Sequence, residues 1–150
     1  MDLQVQFLNK ENEADAIAII KSGLTQHWGS YDPSFNPDVT ALFNHYGDRL
    51  MTFWQAEKMV GTAAYYPKDA ETVFVTRVSV IEHLQGYGIG SRIMSLLEQH
   101  VVELGYKFAE LETTTNWEPV VNFYLKLGYT VTRVQDEDTY FVKRLHAEII

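Results

Sequence analysis

The chain has 150 residues, no cysteine and a formal net charge of −8. That length is enough for one domain with its own core, and the missing cysteines exclude disulfides, thiolate metal sites and cysteine nucleophiles while fitting a reducing compartment. The acidic balance argues against nucleic acid, whose phosphates need a basic surface, and suits a cationic partner such as an amine, or serves solubility alone. No apolar run reaches the roughly 20 residues of a membrane span. The start, MDLQVQFLNKENE, has neither the basic residues nor the apolar stretch of a signal peptide. The expectation is a cytoplasmic protein without membrane attachment.

In chain order, Leu3–Leu8 alternates as a strand does, and Asn12–Leu24 carries Ile17, Ile20 and Leu24 at helical spacing. Trp28–Pro37 (WGSYDPSFNP) is dense in turn formers and aromatics and reads as an ordered loop. A short helix is predicted over Asp38–Tyr46, with Pro37 at its start. A meander of strands follows at Arg49–Gln55, Met59–Tyr66 and Glu71–Val80. Gly88–Leu104 is the clearest helix, with Ile89, Ile93, Leu96, Leu97, Val101 and Leu104 in one apolar stripe and Gly105 as its stop. Lys107–Thr113 is a strand, Glu118–Leu127 a helix ended by Gly128, and Tyr129–Val134 with Thr139–Leu145 a closing hairpin. The order β-α-α-β-β-β-α-β-α-β-β mixes hairpins with crossovers, so the expected class is α/β with a mixed, mostly antiparallel sheet, in a single domain over 1–150.

The segment Gln85-Gly86-Tyr87-Gly88-Ile89-Gly90-Ser91 joins the apolar strand Val73–Val80 to the clearest helix. Alternating glycines let the backbone approach a ligand, and the helix start offers unpaired N–H groups and the positive end of its dipole. Together they suit an anion such as a pyrophosphate, with Ser91 as a further donor. The alternative is a tight turn that binds nothing. A Walker loop needs a lysine, and none lies here. A Rossmann fingerprint should open a repeating βαβ array, with an acid on the next strand; Glu110 and Glu112 sit near there. Here, however, the loop follows a meander and too little chain remains for a second crossover pair.

Gln85–Gly90 matches Q/R-x-x-G-x-G/A, and the chain thereby resembles the GNAT N-acetyltransferase superfamily, whose acyl-CoA pyrophosphate loop has this form. The likeness extends to LETTTNWEPVVNFYLKLGYTV (Leu111–Val131), which resembles the second half of that family's core with its ending Tyr-x-x-x-Gly-Phe/Tyr, here Tyr124, Gly128 and Tyr129. It covers about residues 48–145 well and the first two helices loosely.

The resemblance implies a GNAT-like fold and an enzyme that passes an acetyl group from acetyl-CoA to a primary amine, on a small molecule or a protein, by direct attack in a ternary complex. It implies that the backbone of Val78 and Val80 pairs with the pantetheine arm and that the amides of Gly86, Tyr87, Gly88, Ile89, Gly90 and Ser91 hold the pyrophosphate, with Gln85 at the family's Gln/Arg position. Tyr124 matches the tyrosine that protonates the departing thiolate, although its spacing with Val120 and Leu127 also suits plain core packing. The family's coenzyme-contacting asparagine falls here on Trp117, with Asn116 one residue earlier. For the general base the candidates are Glu71, Glu112, His83 and water. Histidine spacings give no metal site. The acceptor is expected over Trp28–Pro37 and the helix after it, and the resemblance is compatible with a homodimer through edge strands or the last hairpin. The alternative function is a non-catalytic acyl-CoA sensor or scaffold.

Overall fold

The structure is a computed structural model and describes residues 2–146. Its elements are β1 (Gln4–Phe7), α1 (Glu13–Trp28), α2 (Leu42–Tyr46), β2 (Leu50–Gln55), β3 (Lys58–Pro67), β4 (Thr72–Val80), α3 (Ile89–Glu103), β5 (Phe108–Thr114), α4 (Glu118–Lys126), β6 (Thr130–Gln135) and β7 (Asp138–Arg144). The class is α/β, with strand order β1-β2-β3-β4-β5-β7-β6, mixed because β4 and β5 run parallel. The expected element order therefore holds. Two compact units emerge, Met1–Tyr65 with Arg77–Leu97, and Tyr66–Thr76 with Glu98–Ile150.

In the first unit, β1, β2 and β3 form an antiparallel ladder. Leu8, Ala16, Ile20, Val39, Leu42, Tyr46, Leu50, Met59 and Ala64 make its core, each large side chain there stabilising by about 1.5–3 kcal/mol. Helix α1 runs to Trp28, four residues beyond the expected end. The stop is Gly29, which takes φ +81° and donates its N–H to the Thr25 carbonyl. The helix expected over Asp38–Tyr46 is instead a 3₁₀ turn, Pro37–Ala41, followed by the short α2. Glu13 ties the region to α1 by accepting the Phe43 N–H at 2.8 Å.

In the second unit, β5 pairs antiparallel with β7 along its whole length, and β7 pairs with the edge strand β6. Asp136, at φ +56°, turns the closing hairpin. On α3 the stripe holds for Ile89, Ile93, Leu97 and Val101, but Leu104 is 55% exposed and Met94 is buried in its stead. Leu104 directly follows the last residue of α3, its N–H still bonded to the His100 carbonyl, just before Gly105 (φ +101°) turns the chain away.

Candidate active site

Strand β4 changes character midway. Thr72, Val73 and Val75 are buried, whereas every residue from Thr76 to Val80 is half-exposed. Its parallel register with β5 covers Thr72–Phe74. Within the half-exposed stretch Arg77 adopts φ +53°, a left-handed conformation that side chains rarely take and that costs on the order of 1–3 kcal/mol. Val78 and Val80, proposed to face the pantetheine arm, come directly after this irregularity.

What holds Arg77 there is a polar cluster that the sequence did not reveal. Its Nε and Nη2 both donate to the Asp38 carboxylate at 2.8 Å, Nη2 donates further to Asn36 Oδ1, and the Tyr46 hydroxyl donates to Asp38 at 2.8 Å. The ion-paired side chains are 16% and 11% exposed. Burial would raise the Asp38 carboxyl, but hydrogen bonds from Arg77 and Tyr46 and the guanidinium charge hold it below the usual carboxylate range. Burial and the hydrogen bond to Asp38 push the Tyr46 phenol up. A cavity of about 440 Å³ opens beside the cluster, walled by Pro37, Ala41, Asn44 and His45. One signal was present in the sequence: a single arginine inside the otherwise uncharged run TVFVTRVSV.

After β4 the chain makes a 3₁₀ turn, Glu82–Leu84, and enters the glycine loop. Gly86 and Gly88 take φ +87° and +83°, and a Cβ on either would meet nothing within 4 Å. Their need for glycine is therefore conformational, and the space beside both is open. Arg92 N–H donating to the Gly88 carbonyl is an opening bond of α3, so the N–H groups of Ile89, Gly90 and Ser91 precede the helical ladder. Tyr87 is 71% exposed. The Gln85 side chain turns back: its amide donates to the Val80 carbonyl at 3.0 Å and exchanges two hydrogen bonds with Gln26 of α1. It thus braces the end of β4 against the loop.

A model of the Acetyltransferase (GNAT) family matches residues 20–129, most of the chain and all of β2 to α4. The chain belongs to the GNAT acetyltransferase family. A curated relative, probable N-acetyltransferase 14 of Xenopus tropicalis, is 24% identical over 102 residues, which are 65% of this chain and 50% of that protein. The matched segment thus spans about half the length of that relative. Among solved structures, a GNAT-family acetyltransferase of Staphylococcus aureus superposes with a TM-score of 0.84 at 14% identity, covering 97% of this chain and 100% of that one. The PaiA N-acetyltransferase of Thermoplasma acidophilum, solved with coenzyme A, has a TM-score of 0.80 at 13% identity and coverages of 96% and 99%. YncA of Salmonella typhimurium, a putative acetyltransferase with acetyl-CoA, has 0.72 at 16%, covering 100% and 98%. At these identities the structural likeness is one of fold.

The remaining GNAT motif, Tyr-x-x-x-Gly-Tyr, has a clear local cause in the second unit. Tyr129 N–H donates to the Tyr124 carbonyl, Gly128 N–H donates to the Leu125 carbonyl, and Gly128 takes φ +95°. This is a Schellman ending of α4, completed by contact between the Tyr124 and Tyr129 rings at 5.8 Å. Tyr124 is 8% exposed and also packs on Phe141. Burial pushes its phenol up, so the proton is retained through the neutral and mildly alkaline range. Tyr129 donates its hydroxyl to Glu98, whose other oxygen accepts from Lys143 at 2.8 Å. Asn116 is exposed in the turn between β5 and α4.

Of the base candidates, Glu71 pairs with Lys107 at 3.1 Å on the surface, and His83 is exposed in the 3₁₀ turn. Glu112 stands on β5 opposite Tyr140. Among the described residues no cluster of three or more His, Asp or Glu could hold a metal ion, and no helix is long and apolar enough to cross a membrane.

Proposed function

We propose that the protein is an N-acetyltransferase that uses acetyl-CoA as acyl donor and a primary amine as acceptor, joined in a ternary complex. The observation that carries this reading is the loop Gly86–Gly88, with two left-handed glycines, open space at both, and the free N–H groups of α3 directly after it. Amides of Gly86, Tyr87, Gly88, Ile89, Gly90 and Ser91 would hold the pyrophosphate, and the half-exposed backbone of Val78 and Val80 would pair with the pantetheine amides. Gln85 would act by fixing the end of β4. Asn116 is retained as a candidate contact to the coenzyme.

In the reaction the amine lone pair attacks the thioester carbonyl carbon and the C–S bond breaks. The coenzyme sulfur takes a proton, for which Tyr124 is the proposed donor, while the proton lost by the amine passes to a base or to water. A phenol held protonated by burial suits that role.

The test is calorimetric titration of the chain with acetyl-CoA, with NADH as control, followed by a screen for CoA release over an amine panel. Acetyl-CoA should bind, NADH should not, and Gly88→Glu should weaken acetyl-CoA by about 10²-fold or more, through like charge and a backbone angle that disfavours any side chain. Equal affinity in wild type and variant would sink the loop assignment. Acetyl-CoA binding with no CoA release on any amine would favour the non-catalytic sensor.

A further inference from the structure

The cavity beside Arg77, about 440 Å³, is of a size that small molecules occupy. Its lining divides by chemistry. Pro37 and Ala41 are apolar, whereas Asn44 and His45 offer an amide and an imidazole from exposed positions on α2. The His45 ring packs edge-on against Tyr46, with centroids 4.5 Å apart, which limits its freedom. Outside the lining, Arg49 and Asp48 follow α2 and offset one another in charge.

The charged groups of the lining are unequally used. Asp38, its one acid, already accepts two hydrogen bonds from Arg77 and one from the Tyr46 hydroxyl. Arg77 commits Nε and Nη2 to Asp38 and Asn36, but among the described residues its Nη1 donates to nothing, and that nitrogen is not sealed from solvent. A guanidinium has five N–H donors and no acceptor, so the spare edge is satisfied only by water or by an oxygen that a ligand brings. Because Asp38 fixes the opposite edge, little side-chain freedom is left to lose when such an oxygen binds. The net charge of −8 works against anions at long range, so recognition here acts by contact. The place is apt, since Val78, proposed to pair with the pantetheine arm, is the next residue in the chain.

We propose that this cavity takes a carboxylate group of the acyl acceptor, and that the acceptor is therefore a small amino acid. One carboxylate oxygen accepts from Arg77 Nη1 in a charge-assisted hydrogen bond, the Asn44 amide and the His45 ring N–H supply further donors, and Pro37 with Ala41 covers the carbon chain. The inference rests on the acyl-transfer reading for what becomes of the amine, but capture of the carboxylate stands apart from it.

The experiment is a set of NMR titrations of the full chain at pH 7 with butyrate and with neutral butyramide, on wild type, Arg77→Lys and Asn44→Asp. Wild type should bind butyrate tighter than butyramide. Arg77→Lys, which keeps a cation for Asp38 but loses the fork, should lose about tenfold in butyrate affinity. Asn44→Asp puts a like charge in the wall at an exposed position, so butyrate affinity should fall several-fold while butyramide affinity, acetyl-CoA affinity and melting temperature stay nearly constant. Where Arg77→Lys does not fold, Asn44→Asp decides alone. In parallel, CoA release is measured with glycine, β-alanine and 4-aminobutyrate and with the amide of each; at least one acid should exceed its amide in kcat/KM, and lose that lead in Asn44→Asp. Equal affinity for butyrate and butyramide, or butyrate affinity unchanged in the folded variants, overturns the carboxylate site. Butyrate bound through Arg77 and Asn44 without CoA release from any amine keeps the site and loses the acyl-transfer reading. CoA release that favours the amides throughout removes the amino-acid acceptor and leaves acyl transfer standing.

Discussion

Asp38→Asn probes the polar cluster that holds Arg77 and the second half of β4 in shape. The substitution keeps the side-chain volume and one acceptor oxygen, but removes the charge that faces two nitrogen atoms of Arg77 and the Tyr46 hydroxyl. Unit charges about 4 Å apart interact by about 4 kcal/mol at an effective dielectric of about 20. Breaking a buried pair costs about 3–5 kcal/mol, because the surviving charge stays desolvated. With 16% and 11% exposure the pair is not fully dry, and the asparagine oxygen can retain one hydrogen bond. The expected loss is therefore at the low end, about 2–3 kcal/mol, or about 6–10 °C in melting temperature for a chain of this length. The pH dependence has a definite sign. Asp38 has its carboxyl lowered in the folded state, so its contribution is complete above the unfolded value near 3.9 and disappears as pH falls through the lower folded value. Urea denaturation of wild type and variant at pH 7, and at steps down through pH 4, should show the difference constant and then shrinking. Because Val78 follows Arg77, acetyl-CoA affinity should fall several-fold at a temperature where both proteins are folded. A loss below about 0.5 kcal/mol at pH 7, the scale of an exposed pair, would refute the reasoning.

Two further outcomes follow from the end of α4. Tyr124→Phe keeps the ring contacts with Tyr129 and Phe141 and removes only the hydroxyl, so kcat should fall roughly 10–10³-fold with acetyl-CoA affinity and melting temperature nearly constant. Because burial raises the phenol, the wild-type kcat profile should show no alkaline limb from Tyr124 below about pH 10; an unchanged kcat in the folded variant would remove it from the mechanism. Gly128→Ala places a Cβ at φ +95°, beside Lys143 at 3.5 Å, and should cost about 1–2 kcal/mol in denaturant unfolding. If it were neutral, the Schellman account of the GNAT ending would fail.

Local chemistry made much of this protein legible from its sequence. Left-handed turns at Gly86, Gly88 and Gly128, the apolar stripe through Ile93, Leu97 and Val101, and the alternation in β5 and β7 depend on residues within a few positions of one another. Element order and the glycine loop before α3 could therefore be read directly. What the sequence misjudged was decided by partners far along the chain. The Asp38–Arg77 pair joins residues 39 positions apart, and no local rule couples a turn at Pro37 to a left-handed residue in β4. Likewise Glu98 on α3, Tyr129 just after α4 and Lys143 on β7 lie far apart in sequence and form one hydrogen-bonded set only in the fold. Propensity and capping act over one or two turns, and set which elements exist. The pairing of buried charges depends on the register of strands distant in sequence, which only the tertiary structure fixes.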